Sequence, residues 1–225
     1  MSNLVSFSDE YKEIKLEKKV SEQLELALNE IKSENKIVLV SGYRTLEEQT
    51  RIYETSLKEN GEEFTRKFVA LPNASEHQTG LAIDLALNEG NIDFIAPSFP
   101  YHTICQEFRK IASKYGCFFS SLYLSINPYF ERYKDEKKHI TKISKEEWHF
   151  RYVGYPHSKI IEDKDLCLEE YIEYLKQFIY PNKPLKYEKY NIFYIPYKDE
   201  SYIQINKNFS ISGNNIDGFI LTVKE

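Results

Sequence analysis

Two imidazoles and a carboxylate stand in two short stretches of this chain: His77 and Asp84, seven residues apart in SEHQTGLAID, and His149, which ends EEWH. Brought together by folding, the two stretches offer an ion three protein ligands and leave one tetrahedral position open for water, as a catalytic zinc requires. Any fold of this chain must then juxtapose segments far apart in sequence. Glu146 stands three residues before His149, and a carboxylate beside such a water is the usual general base of metal-assisted hydrolysis.

The local pattern shows where these residues fall. Val20, Leu24, Ala27, Leu28 and Ile31 recur at helical spacing, and Ile37 to Val40 reads as a short buried strand that leads into Ser41-Gly42. Thr45 and Glu48 have capping-box spacing and start a helix expected to run to about Asn60-Gly61. Residues 61 to 80 read as a loop. From Leu81 to Ala86 large residues alternate with Ala82, Asp84 and Ala86, so Asp84 is expected on the face opposite Leu81, Ile83 and Leu85.

Further on, Ile104, Phe108, Ile111, Ala112 and Tyr115 form a helical stripe that Gly116 could end, and a strand is expected around Cys117 to Ser125. The dense charge of Glu131 to Lys138 reads as a solvated loop or hairpin tip. Trp148, Phe150 and Tyr152 alternate with His149, Arg151 and Val153 as in a strand. Strict alternation would set Glu146 and His149 on opposite faces, so a bend or bulge near Lys145 to Glu147 is needed if both serve one ion. A last helix runs through Leu168, Ile172, Leu175 and Ile179. Tyr190 to Ile195, Tyr202 to Ile205 and Gly218 to Val223 then read as strands, with a turn at Gly213-Asn214-Asn215.

At 225 residues and 41% hydrophobic, the chain suits one domain with an appendage. Its 30 basic and 35 acidic residues are scattered, giving a formal charge of −5, with no basic block to follow a phosphate backbone, and no nucleic-acid partner is expected. No signal segment or apolar run near 18 residues is visible, so neither export nor a membrane span is expected, and a start at Met1 implies a cytoplasmic protein. Cys105, Cys117 and Cys167 lack CxxC spacing and suit reduced, buried thiols.

The stretches SGYRT (Ser41 to Thr45), S-x-H-x-x-G-x-A-x-D (Ser75 to Asp84) and E-x-W-H-F-R-Y-V-G (Glu146 to Gly154) resemble the zinc D,D-peptidases of the VanY/VanXY group within the LAS (M15) peptidase family, over residues 20 to 180 approximately. The resemblance implies that His77, Asp84 and His149 bind Zn2+, and it selects Glu146 over Glu147 as the base. By family position Arg44 would meet the oxygen that turns negative in the transition state, and Ser75 and Gln49 would hold the substrate's terminal carboxylate. His102, His139 and His157 are left with structural roles, His139 being near enough in sequence to watch.

These readings combine into an α+β fold: a small mixed or antiparallel sheet flanked by helices carries the zinc site over residues 1–184, and residues 185–225 form a β appendage. The implied activity is hydrolysis of the terminal D-Ala-D-Ala bond of the pentapeptide precursor of peptidoglycan and of the free dipeptide, a role in vancomycin resistance. The absent signal favours the VanXY type. Two alternatives stay open at this stage: an endolysin-like L-alanyl-D-glutamate peptidase, and a non-catalytic zinc-binding recognition module.

Overall fold

The structure is a computed structural model that describes residues 3–112, 129–198, 204–205 and 208–225. Expectations for Gly116 and for a strand at 117–125 lie outside these residues, as do the first two residues of the strand expected at 202–205. The chain divides into two compact units, Met1–Asp165 and Leu166–Glu225.

The first unit opens with an antiparallel pair, β1 (Leu4–Ser6) and β2 (Lys15–Glu17), followed by α1 (Lys18–Glu30). α1 buries Val20, Leu24, Ala27 and Leu28, the stripe that the 3.6-residue period requires. β3 (Ile37–Ser41) follows, then α2 (Leu46–Phe68). The capping box at the start of α2 is formed: Glu48 N donates to Thr45 Oγ1 at 3.1 Å and Thr45 N donates to Glu48 Oε2 at 2.7 Å. Such a cap stabilises a helix by about 1 kcal/mol.

Gly61 breaks α2 with φ 81° and ψ 171°, close to the expected end, but the chain turns helical again and continues to Phe68. Thr65 closes the break, because its hydroxyl donates to Gly61 O at 2.9 Å and pairs with the Ser56 hydroxyl at 2.7 Å. The loop expected over 61–80 is therefore partly helical, and a 3-10 turn at Glu76–Thr79 completes it. Side-chain hydroxyls gave the second half of α2 a stability that an apolar stripe would have signalled more plainly.

β4 (Ala82–Leu87), α3 (Thr103–Ala112), β5 (Tyr129–Tyr133), α4 (Lys138–Thr141), β6 (Glu146–Tyr152) and α5 (His157–Asp163) complete the unit. Its main sheet is antiparallel throughout, in the order β3-β4-β6-β5. Phe99, Phe108 and Phe150 meet edge to face at 5.0–5.8 Å and are fully buried with Ile83 and Leu85. Aromatic pairs of this geometry add about 0.5–1.5 kcal/mol each beyond the area they bury. β4 is covered on both sides, so Asp84, on the face away from Ile83 and Leu85, is buried as well.

Two irregularities aim the sheet at one place. Between Leu39 and Ser41 β3 slips by one residue against β4 and sets Ser41 opposite Asp84. On β6 the four steps from Phe150 to Glu146 face only two steps of β5, from Glu131 to Tyr133. The bulge that alternation demanded is thus present, one or two positions later than expected, across Glu147 to His149.

The stretch read as a solvated loop departs most from expectation. Glu131 and Arg132 lie in β5, and both are turned inward: Arg109 Nε pairs with Glu131 at 3.0 Å and Arg132 Nε with Glu76 at 2.9 Å. Only from Asp135 onward is the segment a solvated turn.

In the second unit α6 (Leu168–Leu175) precedes β7 (Leu185–Tyr187), β8 (Tyr190–Pro196), β9 (Phe209–Gly213) and β10 (Gly218–Lys224), an antiparallel sheet in the order β7-β8-β10-β9. The division falls at 165/166, ahead of the 184/185 expected from composition, because Phe178 and Tyr180 exchange backbone hydrogen bonds with Tyr194 of β8. The β9–β10 turn is held by Asn214 Oδ1, which accepts from the amides of Ile216, Asp217 and Gly218 at 3.0 Å each.

Candidate metal centre

His77, Asp84 and His149 offer ligand atoms that lie within 4.8 Å of one another, and all three side chains are buried. Three elements deliver them: the 3-10 turn, β4 and β6. Asp84 and His149 are direct partners in the β4–β6 ladder, which fixes their separation through backbone pairing. His77 is fixed by its ring, since Nδ1 lies 2.6 Å from Gly42 O and so donates there. Nε2 then keeps its lone pair and faces Asp84 Oδ2 at 3.1 Å.

The second imidazole uses both nitrogens. His149 Nδ1 is 2.8 Å from Asp84 Oδ1, and Nε2 is 3.3 Å from Glu76 Oε2. Burial opposes its charge, yet the hydrogen bonds to Asp84 and Glu76 prevail and raise its pKa to about 9. Burial and the neighbouring Arg44 push His77 the other way, below its ordinary value. Asp84 is held well below the usual carboxylate range, burial notwithstanding, by the two histidines beside it. Two imidazoles and one carboxylate within this span fit a tetrahedral zinc with one position open.

Glu146 and Arg44 border the same cleft, which has a volume of about 300 Å³. Burial pushes the Glu146 carboxyl up to about 8; His149 and Arg44 counter it, while Asp84 and Glu76 add to it. Glu147 is different. Its carboxylate lies 3.7 Å from Lys145 Nζ, and its carbonyl accepts from Arg109 Nη2 at 2.7 Å. It does not line the cleft, so the bulge separates the two neighbouring carboxylates.

Arg44 follows the end of β3 and is anchored through three groups: Nε donates to Ser41 Oγ at 2.9 Å, Nη2 to Asp84 Oδ2 at 2.9 Å, and Nη1 reaches Gln49 Oε1 at 3.5 Å. Gln49 is buried on α2 and donates from Nε2 to Ala70 O at 2.8 Å, so it braces Arg44 against the segment after that helix. Ser75 is buried at the cleft wall, just before the 3-10 turn. His139 is exposed on α4, away from the cleft, and His102 is exposed at the start of α3.

Sequence reasoning missed Glu76, Arg132 and Arg151. Glu76 Oε1 receives Arg132 Nε at 2.9 Å and Arg151 Nη1 at 3.4 Å, while Oε2 faces His149. Burial would raise this carboxyl, but the two arginines and His149 reverse the sign and hold it low. The signal available was slight: a glutamate beside His77 and an arginine two residues after His149.

The family model for VanY, D-alanyl-D-alanine carboxypeptidase, matches residues 13–155, and the chain belongs to that family. Within it, the chain is 42% identical over 177 residues to the bifunctional D-Ala-D-Ala dipeptidase and D-Ala-D-Ala carboxypeptidase VanXYC of Enterococcus gallinarum, covering 78% of this chain and 86% of that one. It is 36% identical to a D-alanyl-D-alanine carboxypeptidase of Enterococcus faecium over 83% of this chain and 53% of the relative, about half its length.

Among solved structures, the vancomycin resistance D,D-dipeptidase VanXYg, in complex with a D-Ala-D-Ala phosphinate analogue, superposes with a TM-score of 0.91 at 46% identity, covering 100% of this chain and 88% of that one. A VanY D,D-pentapeptidase from a VanB-type resistance cassette, in complex with Zn(II), gives a TM-score of 0.58 at 25% identity, over 76% of this chain and 90% of that one.

Proposed function

We propose that the chain is a zinc-dependent D,D-peptidase that removes the terminal D-Ala from peptidoglycan precursors ending in D-Ala-D-Ala and also splits the free dipeptide, and that it thereby supports vancomycin resistance. The observation that carries this reading is the convergence of His77, Asp84, His149, Glu146 and Arg44 on one cleft, in a chain 42% identical to a bifunctional enzyme of that activity. When bound, zinc supplies Lewis acidity to the carbonyl and acidifies the attacking water.

The chain's own residues have separable tasks. Glu146 takes the proton from the attacking water and delivers it to the departing amine, from a position on the cleft wall that it shares with the three proposed ligands. Arg44, held in a fixed direction by Ser41 and Gln49, meets the oxygen that becomes negative on the tetrahedral carbon. Ser75 lends its hydroxyl to the substrate's terminal carboxylate. Gln49, expected from the sequence to hold that carboxylate as well, instead supports Arg44, since its amide already engages Ala70 and Arg44.

A cytoplasmic setting fits this reading, because free dipeptide and soluble pentapeptide precursor are both met there, and the buried free thiols Cys105 and Cys167 accord with a reducing compartment. Among the described residues no helix is long and apolar enough to cross a membrane.

The experiment is a D-Ala release assay on dipeptide and pentapeptide with one enzyme preparation, with and without a chelator. Release from both, lost on chelation and restored by zinc, is expected. Replacing the terminal D-Ala by D-lactate or L-Ala should lower kcat/KM sharply. Metal-independent turnover would overturn the proposal.

A further inference from the structure

We infer that Glu76 is a positioning residue for the metal centre: by accepting the Nε2 proton of His149 it selects the tautomer that presents Nδ1 to the ion. This rests on the metal reading given above. An imidazole can ligate through only one nitrogen at a time here, and the other must carry a proton that a buried site has to satisfy. Nδ1 of His149 lies with Asp84 at 2.8 Å, and Nε2 faces Glu76 Oε2 at 3.3 Å. Without an ion each nitrogen faces a carboxylate, but Asp84 belongs to the candidate ligand group and Glu76 does not, so Nε2, on the Glu76 side, is the nitrogen left to keep its proton when the ion is bound. A carboxylate behind a ligating histidine also makes the ring a stronger donor and fixes its rotation.

The rest of the arrangement keeps Glu76 in that role. Its other oxygen is held by Arg132 from β5 and Arg151 from β6, so the carboxylate cannot turn away from the ring. The Tyr133 ring lies 5.0 Å from the His149 ring at 32° and restricts imidazole rotation from a second side. Glu76 also directly precedes His77 in the 3-10 turn, so one short segment places a ligand and orients another. Were Glu76 only the partner of Arg132 and Arg151, its second oxygen would have no need of the histidine.

The test uses zinc affinity, measured on metal-free wild type, Glu76→Gln and Glu76→Ala by competition with a chromophoric chelator. Loss of a partner behind a ligating histidine lowers affinity by about 10–100-fold. Glu76→Ala should fall in that range, and Glu76→Gln, which retains an acceptor without its charge, should fall between it and wild type. Near-UV circular dichroism of the metal-free proteins checks that each is folded.

A second measurement needs no variant: the 15N resonances of His149 in zinc-loaded wild type should show a proton on Nε2 and none on Nδ1. A proton on Nδ1, or unchanged affinity in both folded variants, would overturn the assignment of Glu76 while leaving the metal reading intact. Failure of wild type to take up zinc would overturn both.

Discussion

Asp84 and His149 are paired across β4 and β6, with Asp84 Oδ1 2.8 Å from His149 Nδ1, so the backbone ladder that holds the sheet together also sets the spacing of two of the proposed metal ligands. Cross-strand partners are held within about 5 Å by the ladder itself. The third proposed ligand, His77, is positioned separately by Gly42 O, and this division of labour leads to distinct expectations for each part of the site.

Glu146→Gln should keep the fold and the ion but lower kcat by about 10²-fold or more, because positioned proton transfer contributes on the order of 10²–10⁴. Glu147→Gln, whose carboxylate faces Lys145 and does not line the cleft, should change kcat little by comparison. Steady-state kinetics on the dipeptide check both, and a reversed order would place the base at Glu147.

Arg44 touches Ser41, Asp84 and Gln49, and its substitution tests whether it serves chemistry or binding. Arg44→Lys should lower kcat more than it raises KM, since an ammonium cannot reproduce three contacts made by one planar group. Gln49→Ala should show a weaker effect of the same sign. A change confined to KM would make Arg44 a carboxylate clamp instead.

Zinc uptake should release protons. Without an ion His149, with a pKa raised to about 9, is protonated at pH 7, and ligation through Nδ1 requires that proton to leave. A group whose affinity for protons is raised in the ion-free state weakens ion binding below its pKa, so zinc affinity should rise with pH up to about 9 and level off above it. Glu146, raised to about 8, acts in the same direction if the nearby ion favours its charged form. Calorimetry at pH 7 in buffers of different ionisation enthalpy should give at least one proton released per zinc; identical heats in all buffers would contradict it.

Gly42→Ala tests the seat of His77. A Cβ at position 42 would collide with the backbone oxygen of Lys15 and meet Ile14 Cγ2 at 3.1 Å, and the same residue's carbonyl holds His77 Nδ1. Overpacking of this kind costs about 1–3 kcal/mol. The urea midpoint should fall with an unchanged slope, and zinc affinity should fall with it because the carbonyl is displaced.

The elements and the clustering of His77, Asp84 and His149 were legible in the sequence because they depend on local pattern: the stripe of α1, the capping box of Thr45 and Glu48, the alternation around Asp84, and motif spacing for His77 and His149. What was not legible depends on contacts between distant segments. Arg132 and Glu131 look solvated in a run of charge, and only their partners Glu76 and Arg109, on other elements, reveal that they face inward. The second half of α2 was hidden by Gly61, which breaks the helix without ending it because Thr65 and Ser56 bridge the gap. Residues 166–184 carry no composition shift, so their association with the C-terminal sheet could be seen only in the pairing of Tyr194 with its neighbours.

The bulge in β6 lengthens the strand where it passes the cleft, and removing Glu147 and Trp148 would restore an uninterrupted ladder against β5. In such a shortened chain Glu146 would directly precede His149 and, by alternation, point to the opposite side of the sheet, toward the packing of Phe150. The core and the Asp84–His149 pair could survive that deletion while the proton transfer proposed for Glu146 was lost. Selection for a tidier sheet would therefore run against selection for turnover at this one spot, and the three-residue interval between glutamate and histidine is the feature by which working descendants of this scaffold could be told from inert ones.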